Sequence, residues 1–268
     1  MIPFLENDRG VFAAVRSALM TGANWEDYPQ VSECAKQVSR LNKFRLNPFT
    51  LAGLSRIPDV TSNEAAPRIG HEGEDLAACL YFMGETKDAA LETILGKVKT
   101  LVPEFERFEF NVIGADRVGF SVVFNDGRGS IPAVKVSHGM LLFVGLMVLT
   151  YSPNRPPVML IEEPENGLTP TALREFYKAV RELALRPDET QRSQVLISSH
   201  SPFVICEAWN GEDREFIHQA KVVNGQAVVR KFSEVIAQEG AVLGKDELGR
   251  RTVLGLRTAE LLMSGYLS

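Results

Sequence analysis

Val158-Met159-Leu160-Ile161-Glu162-Glu163-Pro164-Glu165-Asn166-Gly167-Leu168-Thr169-Pro170 carries four apolar residues into two adjacent carboxylates and then into a turn punctuated by Gly and Pro. A short apolar run bounded by turn signals reads as a strand buried on both faces. Burying two carboxylates is costly, so they belong at the strand's C-terminal end, where α/β sheets bind ligands. There one carboxylate can hold a hydrated divalent cation while the other orients or deprotonates a water. A plainer reading also stands: a buried strand that ends in a solvated acidic turn.

The flanking runs separate the two readings. Upstream, Val136-Ser137-His138-Gly139-Met140 opens an apolar segment. Downstream, Gln194-Val195-Leu196-Ile197-Ser198-Ser199-His200-Ser201-Pro202 reads as a second strand that ends in a polar turn with a histidine. In their order and spacing these motifs resemble the ABC-type AAA ATPases, in the branch that holds RecF-like, chromosome-maintenance-like and OLD-type proteins. In that comparison residues 136–140 look like the signature motif. Glu162 and Glu163 look like the end of the Walker B strand, residues 165–170 like the D-loop, and His200 like the switch histidine. The resemblance runs from about Phe44 to the C-terminus.

The resemblance implies an α/β, P-loop NTPase-like fold: a parallel sheet with helices, plus an antiparallel β and helical subdomain. It implies ATP and Mg²⁺ as ligands. Glu162 would hold the metal, and Glu163 would orient the attacking water. His200 would sense the γ-phosphate. Ser137 and Gly139 would contact nucleotide held by a second copy, with Asn166 and Thr169 at the interface between copies. Such a dimer hydrolyses ATP, and relatives couple the cycle to DNA repair, chromosome handling or phage defence through DNA, an effector or a nuclease subunit. Plainer roles exist for some of these residues. Ser137 suits a helix N-cap, and Thr169 suits a cap ahead of Pro170.

One element of the pattern is missing. A phosphate-binding loop needs G-x-x-x-x-G-K-[ST]. Gly96-Lys97 has Leu91 at the first Gly position and Val98 after the Lys, and Gly244-Lys245 has Glu239 and Asp246 there. Relatives carry this Walker A loop near the N-terminus, so the expectation is an N-terminally incomplete domain that needs a missing Walker A segment, from a partner or a longer chain. Without the first strand of the fold, the sheet should expose an apolar edge. The alternative function is a non-catalytic regulatory or interaction protein that retains the fold.

Composition narrows the setting. The chain has 268 residues, 45% hydrophobic, with a net charge of −5, which suits a globular domain and argues against a general nucleic-acid-coating surface. Cys34, Cys79 and Cys206 are widely spaced and form no C-x-x-C, as expected for reduced thiols. The longest apolar stretch, residues 140–151, is too short to span a bilayer. Together with the absence of a basic-then-apolar leader, this predicts a cytoplasmic protein with no membrane association.

The chain reads as a single ATPase domain over 1–268. Residues 1–71 form a poorly readable segment, with short helices expected over 11–20 and 31–41 and strand and loop over 44–59. A helical and antiparallel β subdomain is expected over 72–135. Its first helix starts after Glu72, Glu74 and Asp75 and ends at Gly84. Its second has an apolar face at Leu91, Ile94, Leu95, Val98 and Leu101 and stops at Pro103. Alternating Phe108, Phe110, Val112 and Val118, Phe120, Val122, Phe124 predict paired strands. Residues 136–268 form the signature, Walker B, D-loop and switch-histidine core. In it strands alternate with helices from Thr169 to Arg186 and from Pro202, the latter capped by Ser201. A hairpin turns at Asn224-Gly225, and a tail helix covers 258–267.

Overall fold

β6 (Val158–Glu162) forms over the quoted run and lies between two parallel neighbours, β1 (Leu41–Phe44) and β7 (Gln194–Ser198). Leu160 sits opposite both Lys43 and Leu196. The computed structural model describes residues 41–61, 66–188, 191–211, 213–238, 243–245, 252–254, 259 and 263. The helix expected over 11–20, nearly all of that over 31–41 and most of the tail helix lie outside the described residues; Leu41 itself begins β1.

Between β1 and β6 the chain builds the second layer. The Asn47 side chain accepts the Phe49 N–H at 3.0 Å, and Pro48 supplies a preset φ, so α1 (Pro48–Leu51) forms one helical turn within what reads as strand and loop. The short β2 (Ser55–Arg56) follows. α2 (Leu76–Glu85) and α3 (Ala89–Leu101) lie close to their expected places, with Gly84 inside α2 rather than at its end. Asp88 caps α3 by accepting the Ala90 N–H at 2.8 Å. β3 (Phe105–Ile113), β4 (Arg117–Phe124) and β5 (Gly129–Pro132) then form an antiparallel sheet in the order β2-β4-β3, with β5 also on β4.

α4 (His138–Tyr151) is the centre of the core, buried continuously from Leu141 to Tyr151. A helix apolar all round must be covered on every side. α1, α2, α3 and α5 (Pro170–Ala184) all pack on α4. α5 is amphipathic, with Leu173, Phe176, Val180 and Leu183 inward, and the Thr169 hydroxyl accepts the Ala172 N–H at 3.3 Å to cap it.

Beyond β7 come α6 (Pro202–Asn210), the hairpin β8 (His218–Val223) and β9 (Gln226–Lys231), and α7 (Phe232–Gln238). Both turn residues of that hairpin, Asn224 and Gly225, have positive φ, as a two-residue turn between right-twisted strands requires. Cys206, Trp209, Phe232, Val235 and Ile236 make a second, smaller apolar cluster here. Among the described residues no helix is long and apolar enough to cross a membrane.

The strands of the parallel sheet are less enclosed than the sequence implies. Only Met159 and Ile161 of β6 are buried, and β7 has no fully buried residue. Leu196 is 45% exposed. Among the described residues no strand pairs with the far edge of β7, so one row of its backbone groups has no ladder partner there.

Candidate functional site

β6 and β7 end side by side, with Glu162 in register with Ser198. The Glu163 N–H extends the ladder by donating to the Ser198 carbonyl at 2.9 Å. Glu163 then turns the chain with φ +45°, a left-handed conformation that a side chain with Cβ rarely adopts. The reversal brings the turn after β6 against the loop after β7.

Glu163 is the meeting point. Its Oε2 accepts from Asn166 Nδ2 at 2.8 Å, its Oε1 lies 3.1 Å from His200 Nε2, and Arg45 Nη2 stands 3.8 Å from Oε2. Glu162 Oε1 is 2.7 Å from the Lys43 ammonium. Glu165 ties the two loops together: its Oε1 accepts from both Ser199 Oγ and the His200 N–H at 2.7 Å. Its Oε2 is buried with no partner among the described residues.

A cleft of about 420 Å³ opens beside these groups, lined by Arg45, Asn47, Glu72, Glu162, Glu163 and Asn166 on its polar side and by Leu142, Leu146 and Ile161 on its apolar side. The structure therefore brings together four of the residues singled out in the sequence: Glu162, Glu163, Asn166 and His200. Ser137 and Gly139 are not among the residues lining the cleft. They form the start of α4, where the Ser137 hydroxyl accepts the Met140 N–H at 3.4 Å as an N-cap. A Cβ on Gly139 would come within 2.8 Å of the Gly167 carbonyl, so this end of α4 is pressed against the turn that follows Glu163. Phe49 stacks edge-on against His138 with centroids 5.0 Å apart.

Ser201 begins α6 as expected, but its side chain makes no capping bond. Its N–H donates instead to Ser199 Oγ at 3.0 Å, because Glu165 has already fixed that hydroxyl. Lys43, Arg45 and Glu165 were not singled out from sequence. The signal for the first two is the alternation Lys43-Phe44-Arg45, in which the buried Phe44 fixes both cations on the opposite face of β1. Glu165 is one more acid in an acidic turn, and only the position of Ser199 and His200 reveals its task.

Two carboxylates are a small donor set, and no cluster of three or more His, Cys, Asp or Glu side chains suited to a metal occurs among the described residues. Mg²⁺ asks for no more, since it takes one or two carboxylates and fills its remaining positions with water and phosphate oxygens. The hard oxygens of Glu162 fit that ion, with Glu163 beside it left for a water.

The family described as "AAA domain, putative AbiEii toxin, Type IV TA system" matches residues 22–206, well over half of the chain. The chain belongs to that family. It is an ATPase-type AAA domain with a mixed α/β, P-loop NTPase-like fold, and membership implies use of a nucleotide. No curated protein matches it in sequence. Similar solved structures include an SMC head bound to the C-winged helix domain of ScpA, at 12% identity, with a TM-score of 0.42, 59% of this chain and 47% of that one. A second comes from work on ATP-driven dimerization and DNA-stimulated activation of SMC ATPases, at 12% identity and TM-score 0.42, covering 62% of this chain and 99% of that one. The SMC head domain from Thermotoga maritima is 16% identical with a TM-score of 0.33, over 56% of this chain and 51% of that one. The chain thus spans about half the length of two of these three.

Proposed function

We propose that this AAA domain binds and hydrolyses ATP at the cleft beside β6, with Glu163 as the group that orients and deprotonates the attacking water. The observation that carries this reading is the convergence on one carboxylate of Asn166, at 2.8 Å, and His200, at 3.1 Å, from two different loops. Asn166 turns the Glu163 carboxylate and His200 limits its swing, so an oxygen is held at a fixed place on the cleft wall. Water attacks the terminal phosphorus, its proton passes to Glu163, and the bond to the bridging oxygen breaks to leave ADP and phosphate. Mg²⁺, held by Glu162, would neutralise charge on the phosphates when bound. His200, whose imidazole is 85% exposed, is placed to hydrogen-bond a phosphate oxygen and to lose that bond on hydrolysis.

Ser137 and Gly139 act, in this reading, on nucleotide held by a second copy, across a head-to-tail dimer. Support comes from their place outside the cleft, at a helix N-terminus that favours anions, beside Phe49 and Val134, which are 76% and 73% exposed. The 268 residues contain no G-x-x-x-x-G-K-[ST], so the phosphate loop comes from a further segment or partner. Coupling to DNA, an effector or a nuclease belongs to the same proposal, as does a cytoplasmic setting. The division at residues 72 and 136 is also proposed, with β1 and α1, which precede residue 72, packed into the core.

A second reading, a non-catalytic protein that kept the fold, draws support from the ion pairs of Glu162 and Glu163 with Lys43 and Arg45, which satisfy the acids without any ligand. Calorimetry and phosphate release with Mg-ATP separate the two. The chain alone should bind little. Joined to a segment carrying a phosphate loop it should bind and turn over, and Glu163→Gln should keep binding while lowering turnover by roughly 10²-fold or more. Unchanged turnover in Glu163→Gln would remove Glu163 from catalysis. No turnover in any combination would favour the second reading.

A further inference from the structure

The pairing of Lys43 with Glu162 is unlike the other contacts of the site. Glu165 takes its hydrogen bonds from neutral groups, and Glu163 has Asn166 and His200 in contact, with the Arg45 guanidinium only at 3.8 Å, whereas Glu162 Oε1 holds a full ammonium at 2.7 Å. That oxygen belongs to the carboxylate assigned to the metal. A dication bound at about 2.0–2.1 Å and an ammonium in direct contact cannot share one carboxylate oxygen without strong repulsion. Among the described residues Glu162 is the only ion-pair partner of Lys43.

We propose that Lys43 is a resident counter-cation at Glu162, which neutralises this carboxylate through its Oε1 until a divalent cation displaces it. The inference rests on the reading of Glu162 as the metal ligand. Both parts of the pair suit an exchange. The Lys43 side chain is 43% exposed on a flexible four-carbon stem, so it can swing into solvent or toward an incoming anion without disturbing β1. Glu162 is only 25% exposed, so its charge is short of water and keeps a cation close. Phe44, buried between the two cations in sequence, pins the strand while they move. Bare divalent cation must therefore compete with a tethered charge. A cation that arrives with phosphate gives the released ammonium a new partner, so the site favours the metal–phosphate complex over the free metal.

Arg45 supplies the control. It carries the same charge two residues along the chain, just past the end of β1, yet its guanidinium is 3.8 Å from Glu163 rather than in contact with Glu162. Mn²⁺ binding to the purified chain, followed by electron paramagnetic resonance of the free ion at low salt, tests displacement directly. Lys43→Met should tighten Mn²⁺ binding about tenfold, the effect of removing one contacting charge from a dication. Arg45→Met should tighten it less than about threefold. Lys43→Gln repeats the test should the Met variant misfold, and thermal melts by circular dichroism report folding. Equal affinity in wild type and Lys43→Met, or equal effects of the two substitutions, would overturn the role of Lys43. A tightening that survives Glu162→Gln would place the cation elsewhere and overturn the metal reading of Glu162 as well.

Discussion

Glu165 shows how one side chain sets the geometry of others. Its Oε1 receives the Ser199 hydroxyl and the His200 N–H, so the backbone that carries the imidazole is hung from the turn that carries Glu163. Hydrogen bonds to a carboxylate are among the stronger ones in a protein. Removing this acceptor should free the histidine loop while leaving the β6–β7 ladder intact. In Glu165→Ala, amide hydrogen exchange at His200 should accelerate at least tenfold, with Ile161 and Ile197 unchanged. Glu165→Gln, whose carbonyl oxygen can accept both bonds, should restore most of the protection. Unaltered exchange at His200 in the Ala variant would mean the loop is held by something else.

At the scale of elements, the contact between α4 and the turn after β6 is the tightest test of the packing. A Cβ at Gly139 would sit 2.8 Å from the backbone oxygen of Gly167, which has no side-chain freedom with which to yield. Gly139→Ala should therefore destabilise the protein by about 1–3 kcal/mol in urea unfolding. A Cβ at Gly96, which meets nothing within 4 Å, serves as the control, and Gly96→Ala in the middle of α3 should be neutral or stabilising. Which elements could be read from the sequence follows from the range of the forces that form them. α3 and α5 announce themselves by apolar periodicity and local caps, and the hairpin of β8 and β9 by Asn224-Gly225. β6 and the loops around Glu163 and His200 are legible as motifs. α1 is not, because one turn made by Asn47 and Pro48 leaves no periodicity to find. The exposure of β7 is hidden for a different reason: Val195, Leu196 and Ile197 look like a core strand, and only the arrangement of neighbours shows what covers them. Lys43 and Arg45 escape notice because what brings them to Glu162 and Glu163 is the pairing of β1 with β6, a long-range property that no local pattern encodes.

For the molecule as a whole, Glu182 joins three helices and makes stability depend on acidity. It accepts the Tyr151 hydroxyl at 2.7 Å and Lys97 Nζ at 3.0 Å, which links α5 to α4 and α3. Burial pushes its carboxyl up, but the hydrogen bonds from Tyr151 and Lys97 outweigh that and hold it below the ordinary value of 4.5. A depressed carboxyl stabilises the fold above its unfolded value, and the contribution disappears as pH falls through the folded one. Urea unfolding at a series of pH values should show wild type losing more stability than Glu182→Gln between about pH 5 and 3, and the same stability slope in both would disprove the linkage. The left-handed backbone of Glu163, φ +45°, sets a different limit on the whole domain. Any residue with a Cβ held there costs about 1–2 kcal/mol, which glycine would not incur. Glu163→Gly should accordingly melt higher than Glu163→Ala, since the two differ chiefly in relief of that strain. Selection for thermal robustness alone would drift toward glycine at 163, so keeping a glutamate there costs durability, a cost that the role proposed for Glu163 would account for.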